Sequence, residues 1–135
     1  LRGPFLLTKA VSKIMKKKSQ GKIINISSIF GVVSKPKRAA YSTTKWGLIG
    51  FTKAVALDLA PYNILVNAVS PGFVDTQLSR SILGEKGIKK ITKTIPQKRL
   101  GTVEEIAKTV VYLASDHNTY IAGQNIIVDG GFTSA

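Results

Sequence analysis

The chain has 135 residues, enough for one domain with a modest core, and 44 % of them are hydrophobic, which excludes a disordered polypeptide. Cysteine is absent and histidine occurs once, at His117, so disulfides, thiolate chemistry and cysteine-based or multi-histidine metal sites are excluded. Twenty basic residues against 7 acidic ones give a net charge of +13; sixteen of the twenty are lysines scattered along the chain, and a solvated surface accounts for them better than a nucleic-acid or membrane interface.

In chain order, Phe5, Leu6, Ala10, Val11, Ile14 and Met15 form a helical stripe over residues 3–18, and Lys16-Lys17-Lys18 complement the dipole of its last turn. Residues 22–27, KIINIS, read as a short buried strand. A loop from Ser28 to Arg38 leads to a second helix over 39–59, with Leu48, Phe51, Val55 and Leu59 on one face. Residues 64–70, ILVNAVS, make a second buried strand, stopped by Pro71-Gly72. The segment 75–95 is polar and basic, interrupted by Gly84 and Gly87, and predicts one or two short helices on a mobile lid. Its lysines, Lys86, Lys89, Lys90 and Lys93, read as a solvated helix face rather than a site for an anionic substrate. Thr102 caps a helix running to Ser115, with Glu104 and Glu105 in the first turn and Ile106, Val110 and Leu113 along one side. Residues 125–129, NIIVD, are the third strand. Helices alternating with near-continuous apolar strands predict an α/β fold with a parallel sheet covered on both faces. No apolar run approaches the about 20 residues of a membrane span, and the charge order of the first residues is not that of a signal peptide, so the expected location is cytoplasmic.

The chemistry concentrates at Tyr41-Ser42-Thr43-Thr44-Lys45. Residues four apart on a helix share a face, and a lysine ammonium there favours the phenolate of a hydroxyl whose ordinary pKa is about 10. Such a pair can act as general acid and base between an alcohol and a carbonyl. The spacing alone also fits a surface tyrosine. Thirteen residues earlier, Ser28 stands at the end of the first strand, where open α/β sheets place their sites. The other reading of Ser28 is a cap or turn hydroxyl, and strand alternation should turn Ser27 to the opposite face.

The stretches GKIINISSIFG, AAYSTTKWGLIGFTKAVALDLAPYNILVNAVSPGFVDT, RLGTVEEIAKTVVYLASD and YIAGQNIIVDGG together resemble the short-chain dehydrogenase/reductases, in order and along essentially the whole chain. The resemblance implies the C-terminal half of a doubly wound Rossmann-type sheet. Ser28 matches the substrate-orienting serine, Tyr41 the acid/base, and Lys45 the lysine that tunes the tyrosine and binds the nicotinamide ribose. It places Pro71 and Gly72 against the nicotinamide, the backbone of Val74 on the carboxamide, and Thr76 on the carboxamide or pyrophosphate. Asn67 and Ser70 read as structural. The glycine-rich dinucleotide loop does not occur in residues 1–135, and the fourth catalytic residue of the family, an asparagine, would stand just before Leu1-Arg2-Gly3.

The expectations are therefore an oxidoreductase using NAD or NADP on a secondary alcohol or ketone, requiring no metal, assembled as a homo-oligomer. Residues 1–135 form a single partial domain that would be inactive and prone to aggregate alone. The rival reading, a degenerate relative serving as a structural subunit or a basic nucleic-acid binder, is opposed by the intact Ser28, Tyr41 and Lys45.

Overall fold

A computed structural model describes residues 1–134. The strands β1 (Gly21–Ile26), β2 (Ile64–Pro71) and β3 (Asn125–Val128) form one parallel sheet in that order. The register runs from Gly21 opposite Ile64 to Ile26 opposite Val69, and from Ala68 opposite Asn125 to Pro71 opposite Val128. Each strand lies within a residue or two of its sequence prediction. The helices are α1 (Arg2–Lys18), α2 (Ala39–Leu59), α3 (Gln77–Thr94) and α4 (Val103–Ala114). The α/β class is as expected.

The central strand explains its own composition. Ile64, Val66, Ala68 and Val69 have no exposed surface, because helices cover both faces of β2. Ile23, Ile64 and Val66 pack with Met15 of α1 and with Val55, Ala56 and Leu59 of α2. Lys22, of opposite parity to Ile23, sends its ammonium to the Asn118 carbonyl on the other face, where α4 lies. The buried polar groups are satisfied within the protein. Asn67 donates to the Ile121 carbonyl at 2.7 Å and accepts from the Gln124 N–H at 3.0 Å. Ser70 donates to Asn125 at 2.6 Å, so both residues are structural, as their sequence reading held.

Helix α1 ends where Ser19 adopts a left-handed conformation (φ 48°), its N–H bonding back to the Lys16 carbonyl. The outer edge of β1 pairs with no strand among the described residues, and a cleft of about 670 Å³ lined by Leu7, Val11, Met15, Ile24 and Ile26 runs between it and α1. Segment 75–95 is helical in two short pieces, within the one or two short helices expected. Its helix, α3, runs through Gly87 and is broken only at Gly84 (φ 61°, ψ 174°), giving two helical pieces with no buried residue.

The start of α4 is held as its sequence implied, and more tightly. Thr102 Oγ1 accepts from the Glu105 N–H at 3.2 Å while Glu105 Oε2 accepts from the Thr102 N–H at 2.8 Å. Arg99 grips the same carboxylate with two bonds of 2.8 and 2.7 Å. The Arg99 hydrogen bond first, and the Thr102 N–H second, hold the Glu105 carboxyl down to about 2. A carboxylate whose folded pKa is depressed contributes stability above its unfolded pKa and loses it as pH falls through the folded value. We therefore expect the melting-temperature difference between the native protein and Glu105→Gln to be constant above about pH 5 and to shrink between about pH 4.5 and 2. A difference independent of pH over that range would contradict the ion pair.

Candidate active site

Parallel strands deliver their carboxyl ends to one edge of the sheet, and the chain leaves β1 and β2 there side by side. Ser27 and Ser28 follow β1, and Gly72 follows β2. Ser28 is extended (φ −167°) and caps a short 3-10 turn, Ile29–Gly31, its Oγ accepting from the Phe30 N–H at 3.2 Å. That bond uses a lone pair and leaves the Ser28 O–H free to donate. Ser27 turns elsewhere, as alternation requires: its Oγ donates to the Lys45 carbonyl at 3.0 Å.

Lys45 answers across the same gap. Its Nζ donates to the Ile26 carbonyl at 2.9 Å, tying α2 to the end of β1. Gly31 permits the approach, since a Cβ there would stand 2.6 Å from Ile49 Cδ1 and 3.0 Å from the Lys45 carbonyl. One turn earlier on α2, Tyr41 is 44 % exposed, and its hydroxyl makes no hydrogen bond within the described residues. The Lys45 ammonium lies 5.7 Å from the centroid of the Tyr41 ring. Phe30 meets that ring edge-on at 6.2 Å and Phe73 at 6.3 Å, and Phe73 meets Phe132 at 5.2 Å. Edge-to-face contacts of this kind are worth about 0.5–1.5 kcal/mol each and fix the ring positions.

Ser28, Tyr41 and Gly72 line a single cavity of about 290 Å³, completed by Ile29, Phe30, Arg38, Phe73 and, from α3, Leu78 and Ile82. Lys45 stands behind Tyr41 rather than on this wall. Pro71 ends β2, and Gly72 donates its N–H to the Val128 carbonyl at 2.9 Å. Val74 bridges Gly101 through the carbonyl of Phe73 and the N–H of Asp75, so the N–H and C=O of Val74 itself are left without a partner in the described residues. Thr76 is outside the cavity lining. Its Oγ1 caps α3, accepting from the Ser79 N–H at 3.1 Å and donating to Ser79 Oγ at 2.9 Å. Sequence reasoning did not single out Arg38, Phe30, Phe73, Leu78 or Ile82. Arg38 alone carried a usable signal, a cation standing directly before the predicted helix and three residues before Tyr41. A smaller cavity of about 130 Å³, beyond Phe73, is lined by the paired Arg99 and Glu105 and by Asp129, and it contains none of the sequence-predicted catalytic residues.

A cleft at the carboxyl edge of a parallel α/β sheet is the arrangement of the doubly wound nucleotide-binding domains. The family model described as enoyl-(acyl carrier protein) reductase matches residues 1–133, and the chain belongs to the short-chain dehydrogenase/reductase family. It is similar to the 3-oxoacyl-(acyl-carrier-protein) reductase FabG of Aquifex aeolicus (strain VF5), 46 % identical over 131 residues covering 97 % of this chain and 52 % of the relative. The 3-oxoacyl-(acyl-carrier-protein) reductase of Synechocystis sp. is 48 % identical over 132 residues, 97 % of this chain and 52 % of the relative. Among solved structures, a gluconate 5-dehydrogenase from Burkholderia cenocepacia J2315, in complex with NADP and tartrate, superimposes with a TM-score of 0.95 at 35 % identity, over 100 % of this chain and 53 % of that one. ElxO with NADP bound gives 0.93 at 36 % identity, over 98 % and 54 %. The chain thus spans about half the length of the relatives it matches.

Gly72 is where the site depends most on the absence of a side chain. A Cβ there would lie 2.7 Å from both the Cα and the Cβ of Asp129, whose carboxylate is anchored by the N–H groups of Gly131 and Thr133 and by the Thr133 hydroxyl. Neither side can yield without moving backbone. Gly72→Ala should therefore destabilise the protein by about 1–3 kcal/mol in a urea melt. A melt matching that of the native protein would show that the segment after β2 is not packed against Asp129.

Proposed function

We propose that this chain is the catalytic half of an NAD(P)-dependent oxidoreductase that interconverts a secondary alcohol and a ketone. The observation that carries the reading is the joint lining of one cavity by Ser28 and Tyr41, with the Lys45 ammonium 5.7 Å from the centroid of the Tyr41 ring.

The residues present fit a nicotinamide nucleotide. Lys45 spends one of its three N–H donors on Ile26, leaving two for the hydroxyls of a ribose. The unpaired N–H and C=O of Val74 match the donor and acceptor of a carboxamide. When bound, the cofactor takes up or supplies the hydride. Ser28 donates its O–H to the substrate oxygen and holds it in place. Tyr41 moves the hydroxyl proton, accepting it in the oxidation and returning it in the reduction, and the charge of Lys45 stabilises the phenolate form. Phe30, Phe73, Leu78 and Ile82 give the cavity an apolar wall beside that oxygen. The NADP in the titles of two structural relatives supports the cofactor class, NAD or NADP.

The adenosine side of the cofactor site, and with it the choice between NAD and NADP, belongs to residues outside 1–135 in this reading; relatives about twice as long support it. A cytoplasmic homo-oligomer accepting a small alcohol or carbonyl compound completes the proposal. No helix among the described residues is long and apolar enough to cross a membrane.

The test is kinetic and uses the complete protein. Tyr41→Phe should lower kcat by at least about 100-fold while the cofactor Kd changes little, because only the transferable proton is removed. Lys45→Ala should weaken both turnover and cofactor binding, and Ser28→Ala should cost far more kcat than Ser27→Ala. Activity of Tyr41→Phe within tenfold of the native protein would overturn the proposed chemistry, and the reverse serine order would exchange their roles.

A further inference from the structure

We infer that Arg38 selects the substrate, and that the cavity takes a short hydroxy or oxo acid whose carboxylate pairs with the Arg38 guanidinium; this rests on the oxidoreductase reading above. Arg38 lines the same cavity as Ser28 and Tyr41, and it is the only cation that does. No aspartate or glutamate lines that cavity. The ion pairs among the described residues, Arg80 with Asp75 and Arg99 with Glu105, leave Arg38 out, and its side chain makes no hydrogen bond there. A guanidinium with its fork of N–H donors unused fits a planar carboxylate with two parallel, charge-assisted bonds.

Its position is set by the backbone. The Arg38 carbonyl accepts from the Ser42 N–H at 2.7 Å, so Arg38 is fixed as the N-cap of α2, three residues before Tyr41, with its side chain exposed at the cavity. Lys35, over the face of Phe30 at 5.5 Å, adds positive potential to the wall beside it. The remaining wall is apolar, from Ile29, Phe30, Phe73, Leu78 and Ile82, and so would leave an uncharged substrate's polar end without a partner. The lysines of α3, Lys86, Lys89, Lys90 and Lys93, line none of it, so the positive charge at the cavity is placed rather than general. A volume of about 290 Å³ is room enough for a short acid beside Ser28 and Tyr41.

The experiment uses the complete protein with NAD(P)(H) and two readouts. The first is turnover of two- and three-oxo acids of three to five carbons beside their methyl esters. The native protein should prefer acid to ester in kcat/KM, and Arg38→Gln should reduce that preference by at least about tenfold, chiefly through KM. Arg38→Lys should restore part of it, and Lys53→Gln, which removes the same charge from α2 outside the cavity, should leave it unchanged. The second readout is the rise in melting temperature caused by malonate, which needs no turnover. It should be present in the native protein and in Tyr41→Phe, and lost in Arg38→Gln. Esters used as well as acids, together with a malonate effect indifferent to Arg38, would overturn the inference while leaving the oxidoreductase reading intact. No turnover of any oxo compound, with malonate still bound through Arg38, would overturn that reading and leave the anion subsite standing.

Discussion

Two hydrogen bonds between α2 and the end of β1 hold the site together, and they run in opposite directions. Lys45 gives an N–H to the Ile26 carbonyl, and Ser27 gives its hydroxyl proton to the Lys45 carbonyl. The last strand carbonyl, which has no sheet partner to its outer side among the described residues, is thereby satisfied by a charged donor. A helix carbonyl gains a second bond in return. Because both bonds converge on one residue of α2, the axial position of the helix is set relative to the sheet, and every residue a turn away is set with it. Tyr41 stands beside the turn that Ser28 caps for this reason. Gly31 is the geometric condition, since any side chain there would push the turn off Lys45.

The rest of the fold serves that junction. Parallel pairing brings Ser28 and Gly72 to one edge, and the burial of β2 on both faces prevents that edge from shifting. The chain of edge-to-face contacts from Tyr41 through Phe30 and Phe73 to Phe132 carries the alignment across to the turn after β3. Asp129 anchors that turn. Burial alone would raise its carboxyl pKa, but hydrogen bonds from Thr133 and neighbouring N–H groups outweigh it and lower the pKa from the ordinary value. The kinked α3 adds Leu78 and Ile82 from above without burying either, which leaves this side of the cavity the least constrained.

Much of this was legible in the sequence because it follows from local periodicity. Strands buried on both faces write themselves as apolar runs, as in ILVNAVS. Helix α4 announces its start through Thr102 and Glu105. That Tyr41 and Lys45 share a helix face is legible because four residues make about one turn, and the place of Ser28 because it follows a strand; their reading as one site came from the family resemblance. What escaped depends on contacts between distant segments. Nothing local says that Phe30 and Phe73, far apart in sequence, share a wall. Nothing local says that Leu78 and Ile82 descend onto it, or that Ser27 would be drawn to Lys45. Thr76, singled out through the family resemblance, has a local role the sequence reading did not name: its hydroxyl caps α3. Of the two glycines in the 75–95 segment, only Gly84 breaks the helix, because Gly87 is accommodated within it.

The central claim is that the α2–β1 junction presents Lys45 and Tyr41 to a nicotinamide ribose and a substrate oxygen at once. The most direct measurement is a crystal structure of the complete protein with NAD(P) bound. The account predicts the Lys45 ammonium within hydrogen-bond distance, about 3 Å, of the ribose hydroxyls while keeping its bond to the Ile26 carbonyl, with the Tyr41 hydroxyl facing the same cavity as Ser28. A cofactor seated away from Lys45, or a Lys45 that leaves Ile26 on binding it, would contradict the account.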